Sequence, residues 1–129
     1  MIKIIEISKE NMQFKYKNFL SQRDYPINFF CIEKNNIESG LIALEDIGDK
    51  SAEISLTIFK EYRYKILFKN SLSYIINFPF SLGYDRVITW TKLKSWVKLL
   101  SSFSDEGVKK LDVKLDEDID KIWFEKIRI

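Results

Sequence analysis

Ala52-Glu53-Ile54-Ser55-Leu56-Thr57-Ile58 is the clearest strand signal in this chain of 129 residues. Apolar residues occupy every second position, and polar residues lie between them. Successive side chains of a strand point to opposite faces of the sheet, so this alternation predicts one buried face and one polar face. The polar face carries Glu53, Ser55 and Thr57 and is a candidate functional surface.

Upstream of this stretch the sequence predicts three further strands and one helix. The helix begins with Ser8 as its N-cap and ends near Leu20. Asn35-Asn36 is a good turn pair for a hairpin, and Gly48-Asp49-Lys50 predicts the next turn. The predicted strands are Ile2 to Ile7, Ile27 to Glu33 and Glu38 to Leu44.

Downstream the pattern predicts a long helix, a strand, a second helix and a closing hairpin. Apolar residues at spacings of three and four follow Glu61-Tyr62-Arg63, with Pro79 in the last turn and Gly83 beyond it. This order of elements predicts a single mixed α/β domain over residues 1–129. The later elements are a strand from Arg86 to Thr91, a helix from Leu93 to Phe103, a strand from Gly107 to Leu115, an acidic turn at Asp116-Glu117-Asp118 and a strand from Ile119 to Ile129.

The composition excludes several function classes. The chain has no histidine, which excludes a Ser-His-Asp triad and a Cys-His pair within it. Cys31 is the single cysteine, so no internal disulfide and no tetrahedral zinc site is expected. We interpret it as a small buried hydrophobic residue rather than a nucleophile. The net charge of +2 is too small to indicate general binding to nucleic acid or a membrane surface.

The apolar segments do not predict export or membrane insertion. Lys3 and Glu6 interrupt the first apolar run, whereas a signal peptide needs an unbroken one. Polar residues also interrupt the stretch from Ile66 to Phe80, so no transmembrane span is expected. We therefore expect a cytoplasmic protein.

A basic cluster lies where the long helix should begin, formed by Lys60, Arg63, Lys65 and Lys69. A helix N-terminus carries partial positive charge and normally collects acidic residues. The cluster is unfavourable there unless an anion binds, which predicts a phosphate-bearing ligand held by backbone N–H groups and these side chains. A solvated basic surface paired with Glu61 explains the same residues, and the charges alone do not separate the two interpretations.

Glu53 and two tryptophans are the other candidates. A carboxylate beside a cleft and partly desolvated is suited to act as a general base for an amine, while an ordinary wet strand face is the alternative. Trp90 and Trp96 either line a pocket or belong to the core. The carboxylates from Asp116 to Asp120 lack the glycine of a calcium loop and predict a hairpin tip.

Four segments in a fixed order carry a family resemblance. They are Ala52 to Ile58, Glu61-Tyr62-Arg63-Tyr64-Lys65, Phe80-Ser81-Leu82-Gly83-Tyr84-Asp85-Arg86-Val87, and a helix opened by Ser95 and closed by Phe103 to Gly107. Together they resemble the GNAT superfamily of acetyl-CoA-dependent N-acetyltransferases, and most closely its ribosomal-protein and amino-sugar branch. No single motif is decisive, and the ordered set carries the likeness.

The resemblance implies a fold and a site. The fold is a twisted mixed sheet of about seven strands with helices on both faces, whose fourth and fifth strands splay around the pantetheine of acetyl-CoA. Glu53 would be the catalytic base, Ser95 would protonate the leaving thiolate, and a small-molecule or peptide amine would be the acceptor, with no metal involved. The implied cofactor-binding residues are Ile58, Arg63, Tyr64, Lys65, Ile66, Leu67, Phe68 and Lys69.

Two positions depart from the family pattern. Ile66 and Phe68 stand where the family has small residues, which let phosphate oxygens approach backbone N–H groups, and none of the four glycines lies in this turn. Two hypotheses follow: an N-acetyltransferase in which a primary amine attacks the thioester directly, or a catalytically inactive protein of this fold that binds or regulates another chain. The apolar end Ile127-Arg128-Ile129 is a candidate edge for a homodimer through the C-terminal strand.

Overall fold

The computed structural model describes residues 2–8, 10–11, 27–59 and 69–128. Within these ranges seven strands form one sheet in the order β1-β2-β3-β4-β5-β7-β6. The strands are β1 (Ile2–Ile7), β2 (Ile27–Lys34), β3 (Ile37–Gly48), β4 (Ser51–Ile58), β5 (Arg86–Thr91), β6 (Lys109–Lys110) and β7 (Ile122–Ile127). The helices are α1 (Lys69–Ser81) and α2 (Lys94–Ser101), and a 3-10 turn follows at Ser104–Glu106. The predicted class, a mixed α/β sheet of about seven strands, is confirmed.

The first four strands are antiparallel neighbours, and tight turns join β2 to β3 and β3 to β4. Asn35 and Asn36 both adopt positive φ angles, 53° and 65°, as the two-residue hairpin requires. Asp49 and Lys50 do the same with 54° and 56°. The β4–β5 pair is parallel, and α1 lies in the connection between its two strands.

The main core lies on one face of the sheet. The alternation predicted for β4 is confirmed, since Ala52, Ile54 and Ile58 are buried on this face while Ser55 and Thr57 are exposed on the other. Leu72 and Ile75 of α1 and Leu100 of α2 are buried against the same face, so both described helices cover it. The strand residues packed beneath them include Phe30, Ile32, Ile42, Leu44, Val87 and Phe124.

The opposite face carries a smaller apolar cluster of Ile27, Phe29 and Leu41. The register confirms that Cys31 shares this face and is buried, as its interpretation as a small hydrophobic residue requires. The backbone N–H of Asn11 donates to the Ser8 Oγ at 3.2 Å, which fits the predicted N-cap. The rest of that predicted helix lies outside the described residues, so a helix on this second face stays a prediction.

The end of α1 agrees with the sequence. Pro79 lies inside the helix, and Gly83 has a φ of 98° just beyond it. The N–H groups of Leu82 and Tyr84 donate to the Pro79 carbonyl at 3.0 and 3.3 Å and satisfy an acceptor that the helix leaves open. The predicted beginning of this helix lies outside the described residues.

A series of side-chain hydrogen bonds connects α1 to β7 and to the 3-10 turn. The buried ammonium of Lys126 donates to Asn77 Oδ1 at 2.7 Å, and Asn77 Nδ2 donates to the Ser73 hydroxyl at 3.4 Å. That hydroxyl donates to Glu106 Oε1 at 2.5 Å. A buried charge is costly without polar partners, so this series of hydrogen bonds fixes the side of α1 that faces β7.

The closing hairpin differs from the sequence prediction. The strand predicted from Gly107 to Leu115 is only two residues long, and Val113 and Leu115 are 61% and 41% exposed rather than buried on one face. The last strand begins at Ile122 rather than Ile119. The carboxylates of Asp116 and Asp118 accept the backbone N–H groups of Asp118 and Asp120, each at 3.0 Å. At Asp118 and Asp120 these local bonds take the place of bonds to a neighbouring strand, so residues 116–120 form turns and not the start of the last strand.

Gly40 permits the close approach of β3 to the end of β4. A Cβ atom at Gly40 would lie 2.5 Å from the Thr57 carbonyl oxygen and 3.3 Å from the Ile58 Cα. We therefore expect Gly40→Ala to lower the free energy of unfolding by about 1–3 kcal/mol, the usual cost of overpacking, as measured by urea denaturation. Gly48→Asn is the comparison without a steric contact: nothing lies within 4 Å of that position, so any loss of stability there comes from its φ of 91° alone. Equal stability of Gly40→Ala and the unsubstituted protein would contradict this account of the approach.

Candidate functional site

The two parallel strands at the centre of the sheet pair only over their first three residues. The register joins Ser51 to Arg86, Ala52 to Val87 and Glu53 to Ile88, although β4 continues to Ile58 and β5 to Thr91. Beyond this point β3 stays paired with β4, and β7 stays paired with β5. The sheet therefore opens into a fork between β4 and β5.

One side-chain hydrogen bond closes the narrow end of the fork. The Thr89 hydroxyl donates to the Ile54 carbonyl at 2.9 Å, one residue beyond the last paired positions on both strands. A side chain thus satisfies a strand carbonyl where the ladder has stopped. Past Ile54, the backbone groups on the fork side of β4 have no strand neighbour among the described residues.

A cavity of about 350 Å³ occupies the fork. Its size lies in the range of small-molecule sites, and its walls are mostly apolar. Trp90 and Trp96 both contribute to its walls, as the pocket-lining alternative predicts, and Trp96 also packs against both core clusters, as the core alternative predicts. The complete lining is Ile54, Ser55 and Leu56 of β4, Thr89, Trp90 and Thr91 of β5, Leu72, Ile75 and Ile76 of α1, Trp96 and Leu100 of α2, and the connecting Lys92 and Leu93.

The acidic hairpin tip is tethered to the edge of this cavity. Lys92 and Asp118 form an ion pair at 2.7 Å, and their hydrogen bond raises the pKa of Lys92 and lowers that of Asp118. Lys121 pairs with Asp116 at 2.6 Å, and this hydrogen bond lowers the pKa of Asp116. The Lys121 ammonium also lies 4.3 Å from the ring centroid of Trp90. The tip is therefore a tethered part of the cavity edge rather than a free loop.

Glu53 lies at the last paired position of β4, directly where the fork begins. It is partly buried and shares the sheet face opposite the helices with Ser55, which lines the cavity. Glu45 lies opposite it on β3 and is buried. This position is adjacent to the cavity, and the role of Glu53 as a base stays a prediction.

The other predicted residues have different positions. Ser95 is exposed in the first turn of α2, next to the cavity-lining Trp96, and is not itself part of the lining. Ile58 is buried at the end of β4, and Lys69 is the first described residue of α1. The six positions from Arg63 to Phe68, and Lys60 of the basic cluster, lie outside the described residues. Their predicted contact with a phosphate group therefore stays a prediction.

Sequence reasoning missed Thr89, which forms the cross-strand bond at the base of the fork. Its only signal in the sequence was its place on the same face as Val87 in a predicted strand. The point at which two strands stop pairing depends on the whole sheet, so no local motif marks this threonine.

Among the described residues, no group of three or more His, Cys, Asp or Glu side chains is placed to hold a metal ion. Neither of the two described helices combines the length and apolarity that a membrane crossing requires.

Solved structures of acetyltransferases share this fold. An IAA acetyltransferase from Bacillus cereus has a TM-score of 0.71 at 16% identity, covering 98% of this chain and 99% of that one. A dodecameric spermidine N-acetyltransferase from Vibrio cholerae has a TM-score of 0.72 at 13% identity, covering 98% and 94%. A GNAT-family acetyltransferase from Staphylococcus aureus has a TM-score of 0.60 at 15% identity, covering 98% and 99%.

These likenesses establish the fold as that of GNAT acetyltransferases. No protein-family model and no curated protein matches the sequence. The closer resemblance to the ribosomal-protein and amino-sugar branch stays a prediction.

Proposed function

We propose that this chain is an N-acetyltransferase that transfers the acetyl group of acetyl-CoA to a primary amine. The observation that carries the proposal is the apolar cavity in the fork between β4 and β5. A narrow slot between two strands suits a slender chain such as the pantetheine arm, because apolar walls cover it and strand backbone groups remain for its amides.

The shape of the cavity also orients the substrate. About 350 Å³ is too little for the whole of acetyl-CoA, so the nucleotide lies outside and the thioester end enters. The chain leads from the open end of β4 to α1. Arg63 and Lys65 belong to this connection in the sequence, and Lys69 begins α1. We assign the pyrophosphate to this connection, within the predicted set from Ile58 to Lys69.

The proposed reaction is direct attack. The amine nitrogen bonds to the thioester carbonyl carbon, the carbon–sulfur bond breaks, and the amine loses one proton. Glu53 takes that proton, directly or through a water molecule, and backbone N–H groups on the fork side of β4 polarise the carbonyl. Ser95 is assigned the proton transfer to the departing thiolate, which its place beside Trp96 on α2 permits, and it regains a proton from the solvent to which it is exposed.

The acceptor in this proposal is a small-molecule or peptide amine. Glu45 and Glu53 lie opposite each other on the polar face at the base of the fork, where carboxylates attract an ammonium group. The spermidine N-acetyltransferase of the same fold has an amine substrate and supports this choice of acceptor class.

Acetyl-CoA should stabilise the protein. A ligand at about 100 times its Kd raises the free energy of unfolding by roughly 2.7 kcal/mol, which raises the Tm by several degrees at this size. We expect Leu56→Trp, which enlarges a partly buried side chain that lines the cavity from the helix face of β4, to abolish the increase measured by thermal denaturation. Thr57→Trp is the control on the same strand, because Thr57 is exposed on the other face and lies outside the cavity. An unchanged Tm of the unsubstituted protein in millimolar acetyl-CoA would favour the inactive, binding or regulatory alternative.

Glu53→Gln should lower kcat by about 10²-fold or more, since general-base catalysis contributes on that scale. The assay measures thiol release from acetyl-CoA with a panel of primary amines. We expect the acetyl-CoA Kd to change little, because the side chain lies beside the cavity rather than in its lining. Turnover equal to that of the unsubstituted protein would remove Glu53 from the base role.

The C-terminal strand remains the proposed dimer edge. β6 pairs only with Glu125 and Phe124, and Ile127 further along β7 is 57% exposed. Pairing of this edge with a second copy would cover that side chain. Light scattering should then give twice the monomer mass, and Ile127→Lys should return the protein to a monomer. A monomer at all concentrations would contradict the proposal.

A further inference from the structure

A second cavity adjoins the one in the fork. Its volume is about 30 Å³, roughly the space that one water molecule occupies in the liquid. Four side chains line both cavities and so separate them: Ile54, Ile76, Thr89 and Leu100. Beyond this wall the small cavity is lined by β5, β7 and the residues after α2, including Val87, Phe124 and Val108.

Thr89 differs from the other three residues of the wall. Ile54, Ile76 and Leu100 are apolar side chains packed in the core clusters. Thr89 is held by its hydrogen bond to the Ile54 carbonyl, at the point where the strands begin to separate. Its side-chain position is therefore fixed by a directional bond rather than by packing alone.

The deepest part of the fork is where an acyl group would end. The nucleotide cannot enter the cavity, so the acyl carbon chain is the leading end of the ligand. Ile54 and Thr89 directly follow the last paired positions, so a chain that advances along the fork towards its closed end meets this pair. Room for about one more carbon lies directly behind it, in the small cavity.

We infer that Thr89 is a specificity-determining residue that separates the two cavities and restricts the acyl group to acetyl. The inference rests on the proposed acetyl-CoA site. Removing the hydroxyl and methyl groups of Thr89 joins the small cavity to the fork and admits a propionyl group.

Calorimetric titration of the full chain with acetyl-CoA and with propionyl-CoA tests this inference without knowledge of the acceptor. We expect the unsubstituted protein to bind acetyl-CoA more tightly. Thr89→Ala should shift the ratio of the two Kd values toward propionyl-CoA by about fourfold or more, the effect of burying one additional methylene.

Two variants serve as controls. Thr91→Ala makes the same change two residues along β5, at a position that lines the fork cavity but not the small one, and should leave the ratio within twofold. Thr89→Val keeps the volume of the side chain and should also keep the preference for acetyl-CoA.

Thr89→Ser replaces Thr89→Ala if that variant does not fold. It keeps the hydroxyl that donates to Ile54 and loses only a methyl group, so it should shift the ratio of the two Kd values in the same direction.

The outcomes separate the inference from the proposed function. If the unsubstituted protein binds neither acyl-CoA, the proposed function fails and the inference fails with it. If it binds both and Thr89→Ala leaves the ratio of the two Kd values unchanged, the acyl-CoA site stands and the role inferred for Thr89 is wrong. Equal shifts of the Kd ratio in Thr89→Ala and Thr91→Ala would likewise overturn the inference, since they would reflect a general loosening of the fork.

Discussion

The loss of pairing between β4 and β5 after Glu53 and Ile88 is the constraint on which the rest of the site depends. A parallel pair that separates leaves strand backbone groups without ladder partners, and such groups are costly to bury. The Thr89 hydroxyl satisfies one of them, the Ile54 carbonyl. Those further along the fork lie beside a cavity, where a ligand with amide groups is a suitable partner.

The fork stays open because its two sides are held separately. β3 remains paired along β4, and β7 remains paired along β5, so each half of the sheet is rigid up to the gap. The chain of hydrogen bonds from Lys126 through Asn77 and Ser73 to Glu106 holds α1 against the β7 side. Packing of Ile75 against the strands of the other half then places α1 over the gap. The cavity therefore follows from the way in which the helix spans two separately stabilised halves.

The sequence predicted elements whose cause is local. β4 followed from alternation, the Asn35-Asn36 turn from residues that tolerate positive φ, and the end of α1 from Gly83. The strand predicted through Val113 and Leu115 was wrong, because alternation does not by itself supply a partner strand, and the ladder with β7 covers only Lys109 and Lys110. The side-chain bonds of Asp116 and Asp118 explain instead why the last strand begins late. The fork and Thr89 depend on contacts between distant strands, so local patterns did not mark them. For Trp90 and Trp96 the sequence left open whether they line a pocket or belong to the core.

Under the proposed function, the departure at Ile66 and Phe68 and the cavity in the fork concern different parts of acetyl-CoA. Bulky residues in the phosphate turn affect how closely phosphate oxygens approach backbone N–H groups, whereas the cavity acts on the thioester arm. The apolar walls contribute to binding in proportion to the area that they cover, with or without a glycine in the turn. Lost phosphate contacts would therefore weaken the affinity for acetyl-CoA without removing the slot that places its acyl group beside Glu53. Weak cofactor binding and competent chemistry are compatible under this proposal, because Glu53 belongs to the first half of β4, whereas Ile66 and Phe68 come after that strand in the sequence.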